Sequence, residues 1–358
     1  MRIIQLVQKP QARGAEIFTT WLCEELKDLG HQVLLVSLFE GNFELPFSGK
    51  LIRLNRKKEN RFCDYTGWKK FNEIVQDFKP DLVQANGGDT LKFAVFSRKL
   101  FLGSYRLVFN NGGLVSTYLT SLGHRVFNRF LFRNTDAFVS VSNYTKQDLD
   151  QFLEANKKHK MIPIGIQIPF FDHLASMSPF PVIVQISGFT HEKNHQGTLR
   201  IFRCFQEKHP TSQLWFIGDG PEKATIEAEV EKLGFNSQIK FLGSLSQPFN
   251  WIPDNAILIL PSISEGLPAV LLEAFFARIP VVAYGIGGIP EVLVDRKNGF
   301  LVNPKDEDQF YESLEQCLHM DEVTKKSLLD RAQKTVEENY TIAQVAKKYL
   351  DFYSELCG

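Results

Sequence analysis

The sequence predicts two α/β domains, each a mainly parallel sheet wound on both faces by helices, facing one another across a cleft. Three observations predict it. Short apolar runs alternate with stretches at helical spacing along the chain, the pattern of repeated βα units. That series breaks once, at a segment rich in Pro and small residues spanning 164–169 and 179–181, which reads as a linker. The 358 residues also supply enough core for two domains of ordinary size.

In the first half, residues 3–8 read as a strand. Residues 16–29 read as a helix, with Ile17, Trp21, Leu22, Leu26 and Leu29 on one face and Gly30 as its stop. Strands follow at 32–38, 81–85, 106–109 and 137–141, with helical stretches between them. In the second half the strands are 182–187, 213–218, 239–242, 256–260 and 281–284, with helices at 194–208 and 222–233. A final helix, 342–356, carries Tyr349, Phe352 and Tyr353 along one side. The expected division is 1–168 for an N-terminal domain, 169–180 for the linker and 181–338 for a C-terminal domain. Residues 339–358 form a last helix returning to the N-terminal domain. In such sheets ligands bind beyond the carboxyl ends of the strands.

Hydrophobic residues make up 44% and charged residues 23%, a globular balance rather than a disordered or membrane-spanning one. Formal net charge is zero, but the halves differ. Residues 1–170 hold 24 Lys and Arg against 16 Asp and Glu, and the remainder 17 against 25. A basic half beside an acidic one suggests that the first half meets an anionic surface. Nucleic acid fits poorly, because zero net charge gives little counterion-release drive. The N-terminus, Met1 to Pro10, reads as a strand and not as a signal peptide. The five cysteines lack a CxxC pair, so disulfides and metal are not expected, and a reducing cytosol is.

The segment from Pro261 to Ala274 is the densest in chemistry. It leaves the strand at 256–260, turns through Gly266 and enters a helix near Pro268. Glu265 lies in the loop and Glu273 in the first turns of the helix. Free N–H groups at such a helix start favour an anion. Two carboxylates beside it suit a ligand with both phosphates and hydroxyls, such as a nucleotide-sugar. Other loops after predicted strands are Ala12 to Glu16, Asn110 to Gly113, Ser187 to Asn194, Gly218 to Pro221 and Tyr284 to Glu291. Taken singly, each reads first as a turn. Lys193 brings a mobile cation to a helix start. His191 and His195 flank it, but no third ligand is visible, so they read as surface histidines.

Taken together, Gly14-Ala-Glu16, Glu192-Lys193-Asn194, Gly218-Asp-Gly-Pro221, Glu265-x7-Glu273 and Gly287-Gly288-x-x-Glu291 resemble, in order and spacing, the retaining family 4 glycosyltransferases. The resemblance implies a GT-B architecture, with the nucleotide-sugar held by the second Rossmann-like domain and no metal or other cofactor. By position, it implies that Glu273 bonds the ribose hydroxyls and that Glu265 contacts the donor sugar near the reacting centre. It makes Glu265 and Lys193 the catalytic pair, with Lys193 and the backbone at Gly266 and Leu267 holding the diphosphate. Gly188, Gly218 and Gly220 would line the donor pocket, and Gly14 would close on the phosphates.

The chain departs from the family pattern twice. Aligned on Lys193, the position of a second diphosphate cation, usually Arg, is Gly188. One charge-assisted contact is missing there, about 1.5–3 kcal/mol unless Arg13 or Arg278 replaces it. Where the family often places a His after the strand ending near Phe109, this chain has Asn110 and Asn111. They are read as acceptor contacts that cannot act as bases.

In the basic half, Arg53, Arg56, Lys57, Lys58, Arg61, Lys69 and Lys70 are interleaved with Phe62, Tyr65, Trp68 and Phe71. That mixture suits peripheral contact with anionic lipid at the inner face of a membrane. The expected function is sugar transfer to a glycan or lipid-linked acceptor in cell-surface polysaccharide or lipopolysaccharide assembly. The alternatives are a GT-B sugar-nucleotide epimerase and a non-catalytic scaffold that binds donor or glycan.

Overall fold

A computed structural model describes residues 1–11, 13–168 and 177–358. The chain forms two compact units. One comprises Met1–Gln167 with Thr341–Gly358, the other Ile168–Tyr340. Most of the linker expected at 169–180 lies outside the described residues.

Among the described residues, the first unit holds strands β1 (Arg2–Val7), β2 (Gln32–Phe39), β3 (Lys50–Arg56), β4 (Leu82–Asn86), β5 (Arg106–Asn111), β6 (Ala137–Ser140) and β7 (Lys158–Met161). They pair in the order β3-β2-β1-β4-β5-β6-β7, and every pairing is parallel. The connecting helices are α1 (Gly14–Asp28), α2 (Tyr65–Phe78), α3 (Gly88–Phe101), α4 (Leu122–Arg133) and α5 (Asn143–Asp150). Helix α1 starts two residues before the sequence places it. Its N-cap, Arg13, makes no side-chain capping bond, so no cap residue marks the boundary. Strand order reverses between β1 and β4, the switch point of a doubly wound sheet.

The second unit repeats the plan with β8 (Val182–Ile186), β9 (Gln213–Ile217), β10 (Ile239–Phe241), β11 (Ala256–Leu260), β12 (Val281–Tyr284) and β13 (Phe300–Val302). Their order is β10-β9-β8-β11-β12-β13, again all parallel. Helices α6 (His195–Lys208), α7 (Lys223–Leu233), α8 (Ala269–Phe276), α9 (Glu307–Leu318) and α10 (Glu322–Asn339) accompany them. The switch point lies between β8 and β11. Both sheets are thus parallel and doubly wound, as the alternation of apolar runs predicts, and their strand orders are Rossmann-like.

The chain then returns to the first unit as α11 (Ile342–Cys357). Thr341 caps it through a reciprocal box with Gln344. Tyr349 and Tyr353 are fully buried, and Tyr349 packs on Phe18 of α1 with ring centroids 6.1 Å apart. The Tyr353 hydroxyl donates to Gln84 Oε1 at 2.6 Å and accepts from Gln5 Nε2 at 3.1 Å. Gln5 and Gln84 face each other in the β1–β4 register. Asn86 joins by donating to Gln5 Oε1 at 3.0 Å. A closed polar network of this kind ties α11 to the two central strands.

Candidate active site

At the switch point of the second unit, the loops leaving β8 and β11 lie side by side. The first forms a 3-10 turn over His191–Lys193 and hands the chain to α6 through Asn194. Asn194 has left-handed backbone (φ 54°), and its side chain accepts from Gly197 N–H, a conformation Asn tolerates better than most residues. Two bonds stitch the loops together. Ile263 N–H donates to the Glu192 carbonyl at 2.7 Å, and Asn194 Nδ2 donates to the Pro261 carbonyl at 2.9 Å. Below them, Gln185 of β8 donates to the Lys193 carbonyl at 2.8 Å and is itself held by the Thr198 hydroxyl at 2.7 Å.

That framework brings Lys193 onto Glu265, with Nζ 2.6 Å from Oε1. Ser262 Oγ donates to the same oxygen at 2.8 Å. The Glu265 side chain is only 8% exposed, Lys193 27%. A carboxylate this buried is costly unless paired, and the ammonium meets that need. Both donors fall on Oε1; among the described residues Oε2 has no protein donor. The N–H groups of Gly266 and Leu267, just past the pair, likewise have no backbone acceptor among the described residues.

Helix α8 begins at Ala269 with Pro268 as N-cap. Its sequence, Ala-Val-Leu-Leu-Glu-Ala-Phe-Phe, has one charged residue, Glu273. Among the described residues no hydrogen bond or ion pair engages that carboxylate. Burial pushes it up from 4.5 to about 7, because the low-dielectric surroundings disfavour the charged form. A half-buried acid on an otherwise apolar helix, with its acceptor oxygens uncommitted, suits a ligand that brings hydroxyl donors.

Two glycines shape the loops by necessity. Gly287 has φ +58°, and a Cβ there would overlap the Glu265 carbonyl oxygen. Gly288 N–H donates to the Gly266 carbonyl at 2.7 Å. The loop after β12 is thus pressed against the backbone of Glu265 and Gly266, which only glycine allows. Gly218, at φ +140°, is crowded in the same way by the Ser187 carbonyl. Gly220 would meet Phe189 backbone at 2.6 Å. Gly188 differs: a Cβ would meet only the Asp219 carbonyl, at an ordinary 3.5 Å.

Several expectations need correction. His195 is not a surface residue. It is 2% exposed and stacked on Phe189 at 4.1 Å. Burial, with Lys193 nearby, pushes its imidazole down to about 4, so it stays neutral at physiological pH. Arg278 cannot replace the missing diphosphate cation. It follows the C-terminus of α8, the opposite end from the Pro268 N-cap, and is paired with Asp330 at 2.7 Å. Asn110 and Asn111 belong to β5 and not to a loop, because pairing with β6 continues through them. Asn110 donates to Asn86 Oδ1 at 2.9 Å and accepts from Tyr349 at 3.3 Å. Gly14 opens α1 in the first unit. In the basic patch, Phe71 is fully buried in the core, and Arg56 is paired with Asp64 at 2.6 Å.

Sequence reasoning missed the Lys193–Glu265 pairing, the Ser262 hydroxyl and the three glutamines. Gln5, Gln84 and Gln185 each interrupt an apolar run with one amide, a signal that was present in the sequence. It also missed a stripe on α4. Leu122, Val126 and Phe130 are exposed at helical spacing, beside the exposed Arg125, Arg129 and Arg133.

The chain is similar to known proteins in sequence and in fold. The family model described as "Glycosyltransferase Family 4" matches residues 12–168, and that described as "Glycosyl transferases group 1" matches residues 170–335. An uncharacterised glycosyltransferase of Methanocaldococcus jannaschii is 24% identical over 65% of this chain and 64% of its own length. The N-acetyl-alpha-D-glucosaminyl L-malate synthase of Bacillus anthracis is 22% identical over 97% of this chain and 95% of its own. Among solved structures, HepE of Anabaena in complex with UDP-glucose has a TM-score of 0.83 at 18% identity, covering 99% of this chain and 100% of that one. The sucrose-phosphate synthase of Thermosynechococcus elongatus has 0.83 at 17%, covering 99% of each. With its two halves matching glycosyltransferase families in turn and its fold shared along nearly the whole length, the chain is a glycosyltransferase of the GT-B fold.

Proposed function

We propose that this chain is a retaining family 4 glycosyltransferase that moves a sugar from a nucleotide-diphosphate sugar to a glycan or lipid-linked acceptor in cell-surface polysaccharide assembly. The observation that carries the reading is the buried Lys193–Glu265 pair at the switch point, beside uncommitted backbone N–H groups and the unpartnered acid Glu273. The UDP-glucose complex of HepE supports a nucleotide-sugar as donor.

In this reading Glu273 accepts hydroxyl donors from the ribose. Gly266 and Leu267 N–H and the Lys193 ammonium meet the diphosphate. The arriving phosphates draw Lys193 from Glu265, and Oε1 becomes free to accept from the donor sugar. In the reaction the bond from the anomeric carbon to the diphosphate oxygen breaks, and a bond to the acceptor oxygen forms on the same face. The leaving phosphate takes the acceptor's proton, so no separate base is needed. Lys193 and the N–H groups stabilise charge as it grows on the leaving group, an effect worth about 2.7–4 kcal/mol per well-placed donor. Gly218 and Gly220 let backbone come close to the nucleotide. The test is a kinetic split. Glu273→Gln raises the donor's KM with kcat nearly kept, and Glu265→Gln lowers kcat with KM nearly kept. The reverse pattern would refute the roles.

A lipid-linked acceptor is favoured by the surface of the first unit. Among the described residues no helix is long and apolar enough to cross a membrane. Instead Phe62 is exposed with Arg61 and Lys92 at 4.8 and 4.3 Å from its ring centroid. On α4, Leu122, Val126 and Phe130 are exposed beside Arg125, Arg129 and Arg133, and Phe130 lies 6.0 Å from Phe96 of α3. Such a face suits interfacial binding to anionic lipid. Cosedimentation with phosphatidylglycerol vesicles should be lost in Leu122→Ser/Val126→Ser/Phe130→Ser. Unchanged binding would remove this part of the reading.

A further inference from the structure

Helix α9 places Glu315 and His319 four residues apart, on one face. A third side chain comes from another element: His209, the C-cap residue of α6. His209 Nε2 lies 2.8 Å from Glu315 Oε1, and His319 Nε2 lies 3.7 Å from Glu315 Oε2. One ligand atom from each of the three lies within 4.8 Å of the others. His209 and Glu315 are 18% and 21% exposed and His319 67%, so the cluster has a fixed inner wall and one open side. Phe205 packs on the His209 ring at 4.5 Å. His319 is itself the C-cap residue of α9. Two helix C-termini therefore converge here, and their dipoles favour a cation. One competing cation is close: the Lys208 ammonium, held over the Tyr311 ring at 5.1 Å.

We propose that His209, Glu315 and His319 form a divalent-metal site of the zinc type. Two neutral imidazoles and a carboxylate, with a fourth position open to water, are a donor set that Zn²⁺ takes. The imidazoles select against Mg²⁺ and Ca²⁺, which take oxygen. Bonds of about 2.0–2.1 Å would hold tetrahedral ligand atoms roughly 3.3–3.5 Å apart, and rotation of exposed His319 closes the remaining gap. The ion takes the place of the proton shared by His209 and Glu315. The site is structural rather than catalytic. Helix α6 has 14 residues, so its C-terminal end stands about 21 Å from the end next to Lys193. The ion clasps α6 to α9.

The test is calorimetric titration of the full chain with Zn²⁺ at pH 7.5, paired with a thermal melt. One ion per chain and a raised Tm are expected. His319→Ala, an exposed substitution that leaves the fold intact, should weaken binding by more than the roughly 10–100-fold that loss of an outer-shell partner costs, and should abolish the Tm rise. Chelation of the ion should leave the rate of sugar transfer unchanged. No binding at stoichiometric Zn²⁺, or equal affinity in His319→Ala, would overturn the proposal. Equal affinity is what the exposed thiols Cys63, Cys204 and Cys357 would give.

Discussion

Glu273→Gln tests the energetic cost of holding an acid ready on an apolar helix. Burial raises this carboxyl from 4.5 to about 7. The folded protein thus binds its proton more tightly than the unfolded chain does. By linkage, stability is greatest below the unfolded value and is lost as pH rises from about 4.5 through 7. Each pKa unit is worth about 1.4 kcal/mol, so the loss totals about 3.5 kcal/mol, of which roughly 2.5 kcal/mol falls between pH 5 and pH 8. Glutamine keeps the shape and carries no charge, so the variant should lack that loss. For a unit of this size the difference is a Tm advantage of about 7–13 °C at pH 8, shrinking to a small one at pH 5. Differential scanning calorimetry at the two pH values measures it. In the proposed role the same acid should tune donor affinity, because hydroxyl donors of the ribose would favour the ionised form. Near a pKa of 7 about a tenth is ionised at pH 6 and nine tenths at pH 8, so the Kd of a nucleotide-sugar donor that the protein turns over should fall about tenfold between them. In Glu273→Gln it should be flat and weaker. A variant no more stable than the parent at pH 8, together with a parent Kd independent of pH, would refute the reasoning.

Three further substitutions probe the framework. Gly188→Arg should fold with Tm within about 2 °C of the parent, since its Cβ meets only one carbonyl at 3.5 Å. By restoring a diphosphate cation it should tighten donor binding about tenfold, as read by titration calorimetry. Gly287→Ala should do the opposite. At φ +58° against the Glu265 carbonyl it costs about 1–3 kcal/mol and shifts Glu265, so both Tm and kcat should drop. Tyr353→Phe removes the hydroxyl shared by Gln5 and Gln84 and leaves two buried amides short of a partner. A loss of about 1–3 kcal/mol in denaturant unfolding is expected, with donor affinity unchanged.

Most of the fold was legible because the central parallel strands are buried on both faces and so read as continuous apolar runs. Strands β3, β7 and β13 were not, because β3 (Lys50–Arg56) and β7 (Lys158–Met161) are charged and only partly buried and β13 (Phe300–Val302) is three residues long. The positions of Glu265 and Glu273 were legible for the same reason: a loop after β11 and an apolar helix leave little ambiguity about where a carboxylate falls. The Lys193–Glu265 bond was not legible. It joins loops 72 residues apart, and only the adjacency of β8 and β11, a crossover in strand order, brings them together. His195 misled because a residue at a helix start reads as solvated, whereas here it is wedged against Phe189 and Phe216. Asn110 misled because Asn-Asn-Gly-Gly signals a turn, while pairing with β6 draws both asparagines into the sheet. Phe71 misled because charge density hides which face of α2 looks inward.

The measurement that bears most directly on the central claim is nucleotide release. The protein is incubated with a panel of nucleotide-sugars, and free nucleotide is followed for the parent and for Glu265→Gln. At least one donor should release its nucleotide diphosphate, and the substitution should abolish the release. Conversion of the sugar without nucleotide release would instead indicate an epimerase. Donors that bind while none turns over would indicate a scaffold. Either result would contradict the account.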